Sequence, residues 1–388
     1  MRALLLIATL VAGEHTAAGQ NWVRMADLPG TPRDDGAAFS MNGKVYVGTG
    51  RDVSFALTND WFAYSEGSDT WASIAPLPAT GRQYCTAFTD GTHGYLFGGI
   101  DVNGPLNELW RYDPDTDLWE QMTSLPGPGR YASVVLSDRF IATGLLADGT
   151  ATSECWEYDS GSDEWTLRAD VPGTPRHRAS GGWSLIGGAD ASYEALSDCY
   201  EYDVFNGTWS PLQDLPEPRY GGDAFQNILV GGASSETMLH GDVRAYGDGA
   251  WSDSGILEPF PPGMRRGGVI AGSTVQNGPT FYYGTGVDLV QRHSDWWAFH
   301  ASPTSIDDHH RSTLSIAPVP AMNEITIRMA DNEVVLGAVL YDAQGQLALE
   351  WTGAQGGTIP IHDLRPGLYV VRVWTERSIH RTSIIKHP

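Results

Sequence analysis

The sequence predicts an all-β chain: a six-bladed β-propeller closed by its N-terminal strand, followed by a small Ig-like β-sandwich. Three observations predict it. Tryptophans recur at Trp22, Trp71, Trp119, Trp165, Trp209 and Trp251, at intervals of 49, 48, 46, 44 and 42 residues. The 388 residues include 46 Gly and 23 Pro with only 18% charged side chains, which calls for many turns and short strands rather than long helices. After His300 the repeat stops and a series of short alternating segments begins.

Each repeat can be read as four strands, a to d. A Pro and then an Arg follow each Trp: Pro29/Arg33, Pro78/Arg82, Pro126/Arg130, Pro172/Arg176, Pro216/Arg219 and, after a longer gap, Pro262/Arg265. Strand a follows the Arg. Strand b ends at glycines: Gly48/Gly50, Gly98/Gly99, Gly187/Gly188, Gly231/Gly232 and Gly284/Gly286, with Gly144 alone in the third unit. Strand c carries Tyr64, Tyr112, Tyr158, Tyr202, Tyr246 or Phe299, and strand d begins at the next Trp. A period of 42–49 residues built from short strands is the signature of propeller blades. The first d segment, from Asn21, precedes the first a strand, and no repeat Trp follows Phe299. The N-terminal strand must therefore complete the sixth blade and remove its open edge.

Motif and period together resemble the kelch repeat across residues 20–300. The resemblance implies a propeller whose aromatics and glycines are structural: Trp and Tyr fill contacts between blades, and the glycines let backbones approach. Kelch relatives include copper radical oxidases, which use two His and two Tyr around copper. Here Cys85 follows Tyr84, but His93, His177, His240 and His293 are scattered with no short ligand spacing. No Walker loop, nucleophile elbow or zinc-type His spacing is present, so no metal or cofactor is expected.

Residues 313–388 contain the runs TLSIAP, EITIRM, VVLGAVLYD, QLALEWT, GTIPIH, GLYVVRVWT and HRTSIIK, seven strands for a β-sandwich. Residues 301–312 form a polar linker. The segment resembles the type A C-terminal sorting domain of the type IX secretion system. The matching pieces are Ala317–Ala321 (APVPA), Leu340–Gln346, Ile361–Val373 and Ile384–Lys386. It departs at Val319, where that family usually has Asn. The resemblance implies an address read by the type IX machinery. It also implies delivery to the medium or the cell surface, including attachment to the outer-membrane surface. Residues 1–19 fit a cleaved signal peptide: Arg2, an apolar run from Ala3 to Gly13, then Ala17 and Gly19 before the cut. That run is too short to span a bilayer, and no later one is long enough.

The net charge is −23, from 47 acidic and 24 basic side chains. This excludes a nucleic-acid binder and docking on anionic lipid, both of which need a basic face. Residues 20–300 carry 37 acids against 16 basic groups, so the acidity belongs to the propeller. Three cysteines are too few for a disulfide scaffold. Cys155 and Cys199 hold matching places in adjacent blades, too far apart to bridge, and are expected as buried thiols.

The d–a and b–c loops emerge on one end of the ring, so that end gathers chemistry. Six arginines (Arg33, Arg82, Arg130, Arg176, Arg219, Arg265) ring the axis there. Four residues before each strand-c aromatic stands an acid: Asp60, Glu108, Glu154, Asp198, Asp242 and Asp295. Six arginines against six carboxylates read as a structural clasp repeated around the ring. Residues that differ between blades are the ligand candidates: Tyr84, Tyr131, His177, Arg178, Tyr220 and Arg266. Arginine and tyrosine at a channel mouth suit an anionic or sugar-like ligand. The expected function is an exported, non-enzymatic propeller that binds a glycan or protein at this face. The alternatives are a carbohydrate-modifying enzyme, such as a propeller-type epimerase or mutarotase, at the same mouth, and a purely structural surface component.

Overall fold

The computed structural model describes residues 21–300, save 205, 248, 253–256 and 276–279, and within the C-terminal segment 314–317, 322–329, 335–341, 347–352, 358–375 and 379–386. The expected signal segment, the linker and the 318–321 part of the APVPA run lie outside the described residues. The chain divides into two compact units, Met1–Ser302 and Pro303–Pro388.

The first unit is a ring of six antiparallel blades. Blade 1 is Ala37–Met41, Lys44–Gly48, Trp61–Ser65 and Thr70–Ile74. Blade 6 is Val269–Gly272, Phe281–Gly284 and Trp296–Phe299, completed by the N-terminal strand Trp22–Met25. That strand pairs Trp22 with Phe299 and Met25 with Trp296. Alternation along the inner strands sorts the faces, and Ala37, Phe39 and Met41 are buried while Ala38 and Ser40 are half-buried. Six apolar cores result, each shared by two neighbouring blades. Cys155 and Cys199 are free buried thiols in two different ones of these cores.

Three circles of hydrogen bonds close the ring. Outermost, each repeat Trp donates its indole N–H to a main-chain carbonyl at the preceding blade: Trp71 to Ala26, Trp119 to Ala75, Trp165 to Thr123, Trp209 to Ala169, Trp251 to Gln213, and Trp22 to Glu258. In the middle, the glycine ending each strand b donates to the carbonyl of the next blade's repeat Arg, from Gly50 to Arg82 round to Gly286 and Arg33. Innermost, the residue two past each repeat Arg donates its N–H to its counterpart in the preceding blade. In every circle the sixth bond joins blade 6 to blade 1.

The fourth blade differs from the four-strand expectation. Its regular strands are Ser184–Ala189, Ala195–Asp203 and Thr208–Pro211, and strand a is reduced to a bridge between Ser180 and Ile186. The cause is Gly181–Gly182. A Cβ at Gly181 would lie 2.2 Å from the Val134 side chain, and one at Gly182 would lie 2.6 Å from the Gln226 carbonyl. Neighbouring hairpins use this backbone instead: Ser137 donates to the Gly182 carbonyl and Trp183 donates to Gln226.

The second unit contains two antiparallel sheets. One orders Leu314–Ala317, Glu324–Met329 and Thr358–Pro360; the other orders Leu347–Thr352, Val335–Tyr341, Gly367–Thr375 and Ile379–Lys386. Both contribute to one core that includes Ile325, Ile327, Leu340, Val371 and Ile384.

Candidate functional site

The site is built on the end of the ring where the Pro-x-x-Arg loops and the b–c loops meet. Six guanidinium groups stand there, almost fully buried, and each meets the acid of its own blade, Arg219 also meeting Glu217 at 3.2 Å. The pairs are Arg33–Asp60 at 2.6 Å, Arg82–Glu108 at 2.8 Å, Arg130–Glu154 at 2.6 Å, Arg176–Asp198 at 2.5 Å, Arg219–Asp242 at 2.8 Å and Arg265–Asp295 at 2.6 Å. Most of these arginines also donate to a carbonyl at the end of their own strand b: Thr49, Gly98, Gly187, Gly231 or Thr285. Those residues have φ between 55° and 64°. The guanidinium thus caps the carbonyl exposed by the left-handed turn. In the other blades a fully buried Thr (Thr49, Thr143 or Thr285) takes the left-handed position that Gly98, Gly187 and Gly231 hold.

The innermost circle consists of Asp35, Tyr84, Ala132, Arg178, Gly221 and Gly267, with φ of 54°, 56°, 52°, 53°, 61° and 59°. Four of the six are not glycine, an uncommon conformation that costs of order 1 kcal/mol apiece. The closed circle of main-chain bonds holds them, and their side chains point to the axis. Arg178 reaches from blade 4 across the axis. Its guanidinium donates to the Tyr84 hydroxyl, lies 4.5 Å from the Tyr84 ring centroid and 5.6 Å from that of Tyr220, and approaches Asp35 to 3.8 Å. A cavity of about 100 Å³ opens at this level against Asp35, Tyr84 and Arg178. Further down the axis a cavity of about 180 Å³ is walled by small residues, among them Ala37, Ser133, Ala179 and Gly222, together with Asp223.

Burial sets the electrostatics. It pushes Asp35 up to about 6, helped by the neighbouring Asp34 and opposed by Arg178, Arg266 and Tyr84. Burial and the charge of Asp35 push Asp223 up to about 7, and its Oδ2 has no hydrogen-bond partner among the described residues. His177 is fully buried, is pushed down to about 4 by burial and by Arg178, and lies 4.7 Å from the Tyr193 ring. Both effects favour the neutral imidazole, and the ring is screened from the mouth by its burial.

The six ligand candidates therefore occupy different places. Tyr84 and Arg178 share the axial floor, with Tyr131 5.8 Å from Tyr84, ring to ring. Tyr220 is buried beneath Arg178. Arg266 stands on the opposite side, half-buried; its backbone exchanges hydrogen bonds with Val287, and its charge acts on Asp35. Sequence reasoning missed five residues of this face. Tyr193 adjoins Tyr131, whose hydroxyl is pushed up to about 12 by burial and, secondarily, by Tyr193. Arg292 pairs with Asp34 at 2.5 Å, and its guanidinium and that of Arg51 each lie 4.6 Å from the exposed Phe55 ring. Asp223 lines the axis. Tyr193, Phe55 and Arg292 belong to b–c loops, where the repeats have least in common, so periodicity gives no signal for them. One side of the mouth is thus tyrosine and the other arginine, able to stack on a ring face and take an anion.

Residues 19–182 match the KLHDC2/KLHL20/DRC7 Kelch-repeats domain. The chain carries a kelch-repeat β-propeller. The kelch ring is followed at residues 315–387 by a match to the secretion system C-terminal sorting domain, of the type IX kind. Among curated relatives, N-acetylneuraminate epimerase of Vibrio cholerae is 34% identical over 134 residues, 32% of this chain and 33% of that protein. N-acetylneuraminate epimerase 1 of Escherichia coli O6:H1 is 23% identical over 155 residues, 30% and 42% of the two chains. Human Kelch-like protein 35 is 30% identical over 107 residues, 28% and 18% of the two chains. The chain thus spans less than half the length of each of these relatives. The solved structure of YjhT superposes with a TM-score of 0.60 at 18% identity, covering 72% of this chain and 97% of that one, and shares the fold. The kelch propeller with its sorting domain is an exported protein handled by type IX secretion. Among the described residues no helix is long and apolar enough to cross a membrane.

Proposed function

We propose that this exported propeller binds a carboxylated sugar at its arginine- and tyrosine-lined mouth, on the cell surface or in the medium. One observation carries the reading. Arg178 is held in the middle of the axial floor by two tyrosine rings, yet its guanidinium donates one hydrogen bond among the described residues, to Tyr84. A guanidinium has five donors. Arg178 lines a cavity together with Asp35 and Tyr84; the Tyr131 ring, 5.8 Å from that of Tyr84, is placed to stack on a sugar face, and the charge of Arg266 acts on Asp35. The six buried Arg–acid pairs are read as structural clasps that fix the b–c loops to the Pro-x-x-Arg loops. Two relatives named for N-acetylneuraminate support an acidic sugar as the ligand class.

The test is a glycan array probed with the full chain. Sialylated and uronate-bearing glycans should bind, and their neutral counterparts should not. Equal binding of neutral glycans, or none of either, overturns the reading. A second reading, epimerisation of the bound sugar, is favoured by the same two names and by Asp35, a carboxyl near neutrality that can take or give a proton at the floor. Proton NMR of N-acetylneuraminate with and without the protein separates the two. Faster exchange between ring forms supports the epimerase, and an unchanged rate with binding supports a binding protein.

A further inference from the structure

We propose that Arg178 and Tyr84 form a carboxylate subsite that the protein occupies with its own Asp35, so that an incoming carboxylate displaces Asp35 from Arg178 and the displaced group takes up one proton. The inference rests on the acidic-sugar reading and adds a thermodynamic coupling to it.

Geometry carries the argument. The six clasp pairs close to 2.5–2.8 Å. Arg178 and Asp35 are both buried, at 9% and 7% side-chain exposure, the acid more deeply than any clasp acid, yet they stand 3.8 Å apart. That is a loose ion-pair contact beyond hydrogen-bond reach, where a bidentate one would use two donors. The reason lies in Asp35's backbone. Its N–H is fixed to the Gly267 carbonyl, and its carboxylate lies over Gly267, where a Cβ would come within 2.4 Å of Oδ1. Asp35 is held back from full contact, whereas a free ligand is not. Arg178 is braced by the rings of Tyr84 and Tyr220, so the donor side of the subsite is already in place.

Asp35 has poor company once Arg178 turns to a ligand. From its own strand it faces Asp34, whose charge is taken by Arg292. From blade 5 it faces Asp223, from blade 2 the Tyr84 hydroxyl, and from blade 6 the cation Arg266. A buried carboxylate in that setting, with a second carboxylate arriving nearby, is neutralised rather than left charged. Its position near 6 means that proton uptake starts from a mostly ionised group at neutral pH. The sign follows: below that value Asp35 is already protonated and Arg178 is open, and above it each bound carboxylate must bring a proton. Affinity should be flat in acid and fall by up to about tenfold per pH unit above 6.

The experiment is calorimetric titration of the full chain with N-acetylneuraminate at pH 5.5, 7 and 8, in two buffers of different ionisation heat. Sodium acetate serves as a minimal probe of the subsite, read as a thermal shift against equal sodium chloride. Wild type should take up close to one proton per ligand at pH 7 to 8 and weaken with rising pH. Asp35→Asn should bind at least as tightly at pH 8 as at pH 5.5, with no proton uptake. Asn also tolerates the left-handed conformation and keeps the N–H bond to Gly267, so the variant should fold. Binding without uptake in wild type, or an unchanged pH profile in Asp35→Asn, overturns the proposal. If the sugar fails to bind but acetate stabilises wild type more at pH 5.5 than at pH 8, and Arg178→Met abolishes this, the subsite stands and the sugar reading falls. If neither probe acts on wild type or on Asp35→Asn, the subsite falls too.

Discussion

Asp198→Ala isolates one clasp. Arg176 is completely buried, and its two terminal nitrogens lie 2.7 and 2.5 Å from the two Asp198 oxygens. The acid itself is 28% exposed. Removing it leaves the guanidinium with carbonyl acceptors only, chiefly Thr174 and Gly187 at 3.1 and 3.0 Å. Stranding one partner of a buried pair costs about 3–5 kcal/mol; water entering where Asp198 stood lowers that to about 2–3. With about 2 cal/mol/K of unfolding entropy per residue over about 280 residues, 1 kcal/mol moves the midpoint by about 1.7 °C. The expected drop is therefore about 3–5 °C in the propeller transition, read by differential scanning calorimetry of the full chain at pH 7. Asp198→Asn, which keeps acceptor geometry without charge, should fall between the two. A midpoint within 1 °C of wild type for Asp198→Ala would refute the clasp, because a guanidinium this deeply buried cannot lose its counter-charge at no cost.

Two further expectations address closure and the axis. Trp22 is 1% exposed, packs edge-on to Phe260, Phe281 and Phe299, and donates its indole N–H to the Glu258 carbonyl. Trp22→Ala should cost about 3–5 kcal/mol and raise hydrogen exchange first in blade 6, where the seam closes; uniform exchange across the six blades would contradict closure by this strand. Asp223 is pushed up to about 7, so its burial favours the protonated form. A carboxyl raised in the folded state destabilises the fold progressively as pH rises from its unfolded value near 4 through 7. Asp223→Asn should therefore raise the melting temperature at pH 8 and flatten its decline over that window; a lower melting temperature at pH 8 would contradict this.

Blade number and closure were legible because each repeated residue does the same job six times. The Trp indole finds the carbonyl before it, and the b-strand glycine finds the next blade's Arg. The positions that the six ion pairs join are likewise a repeat, an acid four residues before the strand-c aromatic. What breaks the repeat was not legible. Strand a of blade 4 fails because two glycines yield to neighbouring hairpins, a contact between repeats rather than within one. Thr49, Thr143 and Thr285 take a left-handed position that composition assigns to glycine. Arg178 meets Asp35 143 positions earlier in the sequence, across the axis. Tyr193 and Arg292 reach the mouth from loops without a shared pattern. The fold rests on what the blades share and the candidate site on where they differ, so periodicity reveals the first and hides most of the second.

The central claim is that the mouth selects a carboxylate through Arg178. The most direct measurement is the affinity of the full chain at pH 6 for N-acetylneuraminate, for its methyl ester, and for N-acetylneuraminate with Arg178→Met. The account predicts that the free acid binds and that both the ester and the variant lose at least tenfold. Equal affinity for acid and ester, or an unaffected variant, would contradict it.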